Sequence, residues 1–581
     1  MTRVSMIPLL IFSFASTLAC AGPDGDNFHL RKRTATRKVQ ATAPVYRWVS
    51  SGGGWRAMAA DIGFANAFTQ AGLISPTESK LSAMSSTSGG SWFSTQFFYS
   101  PQFFQAVSGS TPVELYAFVY DWMEQYLSLQ VDSQTHPNCT KLANFSSQYL
   151  KLPFTETDID DICNVFLDFN GSWAGIVQAM LKAASSNYGD PSFIDRAFDF
   201  ENRVNALSNT EIYIQTSLSP TSRAQVTATS PGELVYMTPS DSSDQVYTTP
   251  LAAQFAVKAN YSHFNAAVEN TLYTIYAAAP EEFSKKDYND FSLYPNTTGS
   301  VLKSLPNLPY STRSSFLEPF GGSPTVTQVA AASSAAIGGF SGDVPSVLAQ
   351  VESAMEYNQT KGNQFILSQL VKDIYSASIF GDIAVCTQWP NDCGTSDGRL
   401  IDGAYTDGLS LALNVGQYQT IDNGDLNKTL KVILTNDNIQ TDSNVQFLSY
   451  FQTSYNKGIA PGDFLWLPSW SVHGPPAPTP VRSYQIFEES LDEELLRSKS
   501  QQLSGTNMTY ALINATTLDN PVFGVKAGQH VELLLLQINS PIPTTVIGRN
   551  TTQEYMAPLA DMARDIASNT QLISIVRDFT S

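Results

Sequence analysis

Two glycine-rich segments near the start of the chain constrain its fold more than any other feature. The first, residues 51–58 (SGGGWRAM), follows a run of aromatic and branched residues that predicts a strand, and it precedes a helix-like stretch. The second, residues 87–92 (TSGGSW), follows another predicted strand and places Ser88 at its exit. Each segment is therefore predicted to be a tight turn from a strand into a helix, which indicates a mostly parallel sheet between helices.

Small residues on both sides of a serine at such a turn are typical of a nucleophile elbow. In place of the usual Gly-x-Ser-x-Gly, the chain has Ser86-Thr87-Ser88-Gly89-Gly90, with a serine where the first glycine is expected. Glycine readily adopts the positive φ angles that turn consecutive backbone N–H groups toward one point. The two segments predict a nucleophile and an oxyanion-binding loop; the alternative is that both are ordinary Gly/Ser turns.

Together the two segments resemble the start of the catalytic domain of the cytosolic phospholipase A2 and fungal lysophospholipase (phospholipase B) superfamily, which is related to patatins. The similarity is close over residues 45–95 and weaker near 330–415. There, the small-residue run 329–340 resembles the segment before the aspartate in patatin-like proteins, or is simply a tightly packed helix. The resemblance implies an α/β fold, a three-layer α/β/α sandwich with a mostly parallel central sheet. Residues 45–581 would form this single large acyl-hydrolase domain, with a helical, aromatic-rich insertion at about 100–205.

The same resemblance implies roles for individual residues. Ser88 is the implied nucleophile of a serine–aspartate dyad that uses no histidine. Gly53 and Gly54 would donate backbone N–H groups to the oxyanion. Arg56 would bind the phosphate of the substrate.

The partner aspartate is expected in an Asp-Gly turn late in the chain. Asp402 directly follows a short apolar run, and Gly403 permits a sharp turn, although Ala404 stands where the family has a further glycine. Asp407-Gly408 offers a similar turn five residues on. We predict Asp402 as the base, with Asp407 as the alternative; whichever is not catalytic lies in an ordinary Asp-Gly turn.

The residue types and the resemblance together predict a secreted serine lipid acyl hydrolase, of the phospholipase A/B or lysophospholipase kind. A serine hydroxyl is a weak nucleophile and needs an adjacent base. Burial raises the pKa of a carboxyl group, which makes an aspartate a usable base. The expected substrate is a phospholipid or lysophospholipid at a membrane or micelle surface, cleaved through an acyl-serine intermediate. No cofactor and no metal is expected.

Two other functions remain open from the sequence. His473 and His530 both follow Asp402, so the order Ser…Asp…His of a carboxylesterase or lipase with a Ser-His-Asp triad is available. The departures from the family pattern at Ser86 and Ala404 also allow a non-catalytic glycoprotein that keeps the fold.

Residues 1–21 have the features of a signal peptide. Arg3 lies near the start, an apolar run spans 7–14, and Ala19-Cys20-Ala21 matches a cleavage pattern. The apolar run is too short to cross a membrane, and we predict no transmembrane segment. Residues 22–44 are predicted to be a basic polar linker. We therefore expect a secreted protein or one of a lysosome- or vacuole-type compartment.

Sequons and cysteines agree with a secretory route. Of the four cysteines after residue 21, we predict the sequence-local disulfides Cys139–Cys163 and Cys386–Cys393. Ten asparagines stand in Asn-x-Ser/Thr sequons and are predicted glycosylation sites: Asn138, Asn144, Asn170, Asn260, Asn296, Asn358, Asn427, Asn507, Asn514 and Asn550.

Charge excludes some partners. The net charge is −19 and the isoelectric point is near 4.6, which argues against nucleic-acid binding. The acidic run 156–161 lacks the spaced ligands and central glycine of an EF-hand loop and is predicted to be a solvated loop. Further strands are predicted at 211–215, 233–237, 429–434 and 531–537.

Overall fold

The computed structural model describes most of the residues that form one compact unit, Thr42–Ser581. The predicted signal peptide and nearly all of the predicted linker lie outside the described residues. The described residues are 43–130, 139–140, 160, 164–165, 169, 173–198, 202–218, 247–249, 253–255, 275–278, 325–335, 384–385, 398–405, 408–420, 424–436, 450–451, 485–489, 493–518, 525–543 and 546–581.

Strands make up the middle layer of this unit. Three of the additionally predicted strands are found, and the fourth, at 233–237, lies outside the described residues. In chain order the strands are β1 (Val45–Ser50), β2 (Leu81–Thr87), β3 (Glu211–Leu218), β4 (Tyr247–Thr249), β5 (Ala253–Phe255), β6 (Ile275–Ala278), β7 (Ala384–Val385), β8 (Gly398–Asp402), β9 (Leu430–Asn436), β10 (Gln501–Gln502), β11 (Met508–Thr516) and β12 (His530–Ile538).

Ten of these strands form one sheet with a parallel centre. Its order is β10-β11-β12-β9-β1-β2-β3-β8-β7, and β6 also pairs with β3. The five strands from β12 to β3 run parallel to their neighbours, whereas β10, β11, β6, β8 and β7 pair in the antiparallel direction. The carboxyl ends of the parallel strands therefore meet at one edge, where α/β folds place their sites.

Helices connect and cover the strands. Within the described residues they are α1 (Gly54–Ala71), α2 (Gly89–Tyr99), α3 (Pro101–Gly109), α4 (Pro112–Leu129), α5 (Trp173–Asn187), α6 (Val326–Ser333), α7 (Leu411–Thr420), α8 (Glu493–Lys499), α9 (Arg549–Ala567) and α10 (Thr570–Phe579). None of the helices in this part of the chain combines the length and apolar character that a membrane crossing requires.

The two faces of the sheet bury separate cores. Successive side chains of a strand point to opposite faces, so Trp48 and Ile433 join one apolar cluster while Val49 and Leu434 join the other. The first cluster includes residues of α1, α2, α9 and α10, and the second includes residues of α7 and α8. This confirms the predicted three-layer α/β fold with a mostly parallel central sheet.

The aromatic-rich region predicted at about 100–205 contributes to the first cluster. Its described helices α3, α4 and α5 bury Phe103, Trp122 and Ile176 completely. The indole N–H of Trp122 donates a hydrogen bond to the carbonyl of Met180 in α5 (2.7 Å). These helices are therefore continuous with the main core.

Candidate active site

Ser88 lies at a strained turn between β2 and α2. It has φ 50° and ψ −126° and occupies the N-cap position of α2. A residue other than glycine in such a conformation costs on the order of 1–3 kcal/mol, and such strain clusters at functional sites. A Cβ atom at Gly89 would collide with the backbone of Gly54, and one at Gly90 would collide with Ser50. The two glycines after Ser88 are thus required by the close approach of the 51–54 loop.

The glycine loop packs directly against Ser88. A Cβ atom at Gly52 would lie 2.9 Å from Cβ of Ser88, and the N–H of Gly52 donates to the carbonyl of Gly408 (3.0 Å). Gly53 and Gly54 have φ angles of 144° and 61°. Among the residues that the structure describes, no group accepts a hydrogen bond from the N–H of Gly53 or Gly54. Both N–H groups are thus available to a ligand.

The amino termini of two helices lie next to each other beside Ser88. α1 begins at Gly54 and α2 begins at Gly89, and the backbones of these two residues are in contact. The amino end of a helix carries a partial positive charge and unpaired N–H groups, which favour an anion. The arrangement can therefore stabilise a negatively charged oxygen next to Ser88.

Asp402 reaches Ser88 because two strands end against the same edge of β3. β2 pairs with β3 as far as Thr87, opposite Gln215, and β8 pairs with β3 from Asp402, opposite Thr216. β6 occupies the other edge of β3 over the same stretch, so β2 and β8 must share one edge. Their carboxyl ends therefore meet head to head, with Ser88 on one side and Asp402 on the other.

The side chains of Ser88 and Asp402 are hydrogen-bonded. Ser88 Oγ donates to Asp402 Oδ2 (2.8 Å), and the N–H of Ala404 donates to Asp402 Oδ1 (2.8 Å). Asp402 is 3% exposed, and this burial raises its pKa to about 7 against the opposing effect of the two hydrogen bonds, which favour the ionised form. A carboxylate with a pKa near 7 is well matched to general-base chemistry near neutral pH.

Arg56 lies in the first turn of α1 and is 3% exposed. Its Nη1 donates to the carbonyl of Ile542, in the segment after β12 (2.6 Å). The guanidinium therefore braces that segment against the start of α1. Its predicted contact with a substrate phosphate stays a prediction.

A buried carboxyl group that the sequence analysis did not single out lies next to the glycine loop. Asp61, in α1, accepts hydrogen bonds from the hydroxyl of Ser50 and from Oγ1 of Thr435 (3.1 Å). The indole N–H of Trp48 also donates to Thr435 Oγ1 (3.0 Å). These bonds tie the carboxyl ends of β1 and β9 to α1. The signal in the sequence was an acidic residue within the mostly apolar first half of a helix.

His530, the one histidine among the residues that the structure describes, lies far from Ser88. His530 opens β12, and its neighbour Val531 is in register with Leu430, which in turn is in register with Val45. These residues mark the amino ends of the parallel strands, whereas Ser88 follows a carboxyl end. At about 3.3 Å per residue the two levels differ by roughly 20 Å. His530 therefore cannot complete a triad with Ser88, and His473 lies outside the described residues.

The remaining predicted positions are only partly described. Asp407 lies outside the described residues, as do Cys163, Cys386 and Cys393, so the predicted disulfide pairing stays a prediction. Six of the ten sequons also lie outside them. The four described sequon asparagines are all exposed: Asn427, Asn507, Asn514 and Asn550.

Comparisons with known proteins add a distant similarity in fold. No protein-family model matches the chain, and no curated protein matches it. Among solved structures it is similar to human GIVD cytosolic phospholipase A2, with 10% sequence identity and a TM-score of 0.32. The match covers 93% of this chain and 63% of that one, so the chain spans less than two thirds of its length. A likeness at this level carries no information about activity.

Proposed function

We propose that the protein is a secreted serine hydrolase that cleaves fatty-acyl esters of phospholipids or lysophospholipids with Ser88 and Asp402. The observation that carries the proposal is the 2.8 Å hydrogen bond from Ser88 Oγ, at a strained strand-to-helix turn, to a buried carboxyl group with a pKa of about 7. A nucleophile within hydrogen-bond reach of its base is the signature of covalent catalysis.

In the first half of the reaction, Ser88 Oγ attacks the ester carbonyl carbon while Asp402 accepts the hydroxyl proton. The carbonyl oxygen becomes an oxyanion, which the N–H groups of Gly53 and Gly54 bind; each such donor is typically worth about 2.7–4 kcal/mol. The proton on Asp402 then passes to the leaving alcohol oxygen as the carbon–oxygen bond breaks. An acyl-serine and a deacylated lipid result.

In the second half, a water molecule attacks the acyl-serine. Asp402 accepts one proton of that water, and the same N–H groups bind the second oxyanion. When the tetrahedral intermediate collapses, the proton on Asp402 returns to Ser88 Oγ and the fatty acid leaves. The same carboxyl group therefore serves as base and acid in turn, which a pKa near 7 allows.

The lipid class and the compartment rest on sequence features. The resemblance of segments 51–58 and 87–92 to phospholipase motifs supports a phospholipid or lysophospholipid substrate. Arg56 lies two residues beyond Gly54, and its guanidinium has the charge and the planar donor geometry that suit a lipid phosphate. The predicted signal peptide supports secretion, and the exposure of the four described sequon asparagines is compatible with glycosylation.

The test is fatty-acid release from phosphatidylcholine and lysophosphatidylcholine micelles, with a simple aryl ester in parallel. We expect Ser88→Ala and Asp402→Asn to lower kcat by at least about 10³-fold, and Asp407→Asn, His473→Ala and His530→Ala to retain activity. Loss of activity in a histidine variant would favour a triad esterase. Hydrolysis of the aryl ester alone would refute the proposal that the substrate is a lipid. A folded protein that hydrolyses none of the three substrates would favour the non-catalytic glycoprotein.

A further inference from the structure

A second serine, Ser333, holds the backbone of Ser88. It is the last residue of α6 and is fully buried. The N–H of Ser88 donates to both the hydroxyl (3.0 Å) and the carbonyl oxygen (3.2 Å) of Ser333. The Ser333 hydroxyl donates in turn to the carbonyl of Gln215 (2.7 Å). The N–H of Ser88 is therefore engaged by Ser333 and does not serve the oxyanion.

The same stretch of chain also contacts the base. Two residues after Ser333, the carbonyl of Ala335 accepts a hydrogen bond from the N–H of Asp402 (3.4 Å). The side-chain amide of Gln215 donates to the carbonyl of Gly403 (3.0 Å). Ser333 and Ala335 thus bond directly to the backbones of Ser88 and Asp402, which follow different strands.

We propose that Ser333 is a positioning residue for the dyad: its hydroxyl keeps the Ser88 backbone where Oγ meets Asp402 at 2.8 Å. This inference rests on the proposed function of Ser88. A serine at φ 50° is strained, and such a conformation persists only where its surroundings hold it. Without the Ser333 hydroxyl, the Ser88 N–H keeps only the longer bond to the carbonyl. The net value of one hydrogen bond corresponds to about a two- to twelvefold effect, which should appear in kcat because Ser333 does not bind substrate.

Ser334 provides a matched control. It is as deeply buried as Ser333, but its hydroxyl accepts hydrogen bonds from the indole N–H groups of Trp92 (2.8 Å) and Trp173 (3.3 Å). Removing that hydroxyl takes away the 2.8 Å acceptor of the buried Trp92 indole N–H, which costs stability as the loss of a buried hydrogen bond at Ser333 does. A difference in kcat between the two variants therefore reports on positioning and not on stability.

The experiment measures kcat and KM for fatty-acid release in wild type, Ser88→Ala, Ser333→Ala and Ser334→Ala, and follows amide hydrogen exchange of the peptide spanning residues 85–92. We expect Ser333→Ala to lower kcat about five- to tenfold with KM within twofold, and to speed exchange in that peptide. Ser334→Ala should retain both kcat and the slow exchange. Should Ser333→Ala not fold, Ser333→Cys, which keeps the volume but bonds weakly, replaces it with the same expectations.

Wild-type kcat and slow exchange in Ser333→Ala would overturn the inference. An equal fall in kcat for Ser334→Ala would also overturn it, because both serines would then act through stability alone. Full activity in Ser88→Ala would instead refute the proposed function, whereas the effect of Ser333 on exchange at residues 85–92 would still be measurable. The two failures are therefore distinguishable.

Discussion

Replacing Asp402 with asparagine should make the protein more stable, and the gain should grow with pH. The folded-state pKa of Asp402 is about 7 because the carboxyl group is buried, whereas an aspartate in an unfolded chain has a pKa of about 3.9. The folded state therefore binds this proton more tightly than the unfolded state. The contribution of Asp402 to stability is largest below about pH 4 and is lost as the pH rises through about 7.

The magnitude follows from the two pKa values. At 1.36 kcal/mol for each tenfold difference in proton affinity, raising the pH from about 4 to about 8 removes roughly 4 kcal/mol from the free energy of unfolding. The substitution Asp402→Asn removes this titration. Its amide keeps an oxygen for the N–H of Ala404 and an N–H₂ group for Ser88 Oγ, so the packing is conserved.

Urea unfolding of wild type and Asp402→Asn at several pH values between about 4 and 8 measures the difference in the free energy of unfolding. Other groups titrate alike in both proteins and cancel in that difference. We expect the variant to gain roughly 4 kcal/mol relative to wild type across the range. A difference that stays constant, or that falls as the pH rises, would refute the reasoning, because it would mean that burial does not raise the pKa of Asp402.

Three further predictions follow from the same site. Because Asp402 must be ionised to act as a base, kcat/KM for an uncharged ester should rise with pH to a plateau above about 7; an acidic optimum in the pH–rate profile would contradict this. The free energy of unfolding of Ser88→Gly should exceed that of Ser88→Ala by about 1 kcal/mol, because glycine tolerates φ 50°. Equal urea midpoints for the two variants would show that the turn is unstrained. Gly89→Ala should lower kcat about a hundredfold or more, because its methyl group displaces Gly54 from the oxyanion loop. The control Gly109→Ala, which has no atom within 4 Å of the added Cβ, should retain wild-type kcat.

The sequence was sufficient for the fold class and for the local turns. The alternation of strand and helix patterns predicts a mostly parallel sheet between helices, because the helices that join parallel strands cover the faces of the sheet. The turn at Ser88 is likewise local, since its neighbours Gly89 and Gly90 are the residues that such a close approach demands.

Other features depend on contacts that no local pattern encodes. Ser88 and Asp402 are 314 residues apart, and they meet only because β2 and β8 end against one edge of β3. The same holds for Arg56, whose bond to Ile542 spans 486 residues. Ser333 lay within a small-residue run that the sequence analysis noted, but its bond to Ser88 follows from the placement of α6 and not from the run itself.

The most direct test of the dyad is covalent labelling with a fluorophosphonate, followed by mass spectrometry of the digested protein. The account predicts one modified residue, Ser88, with no labelling in Ser88→Ala and labelling slowed at least about a hundredfold in Asp402→Asn. Labelling at another serine, or labelling of Ser88 that Asp402→Asn leaves unchanged, would contradict it.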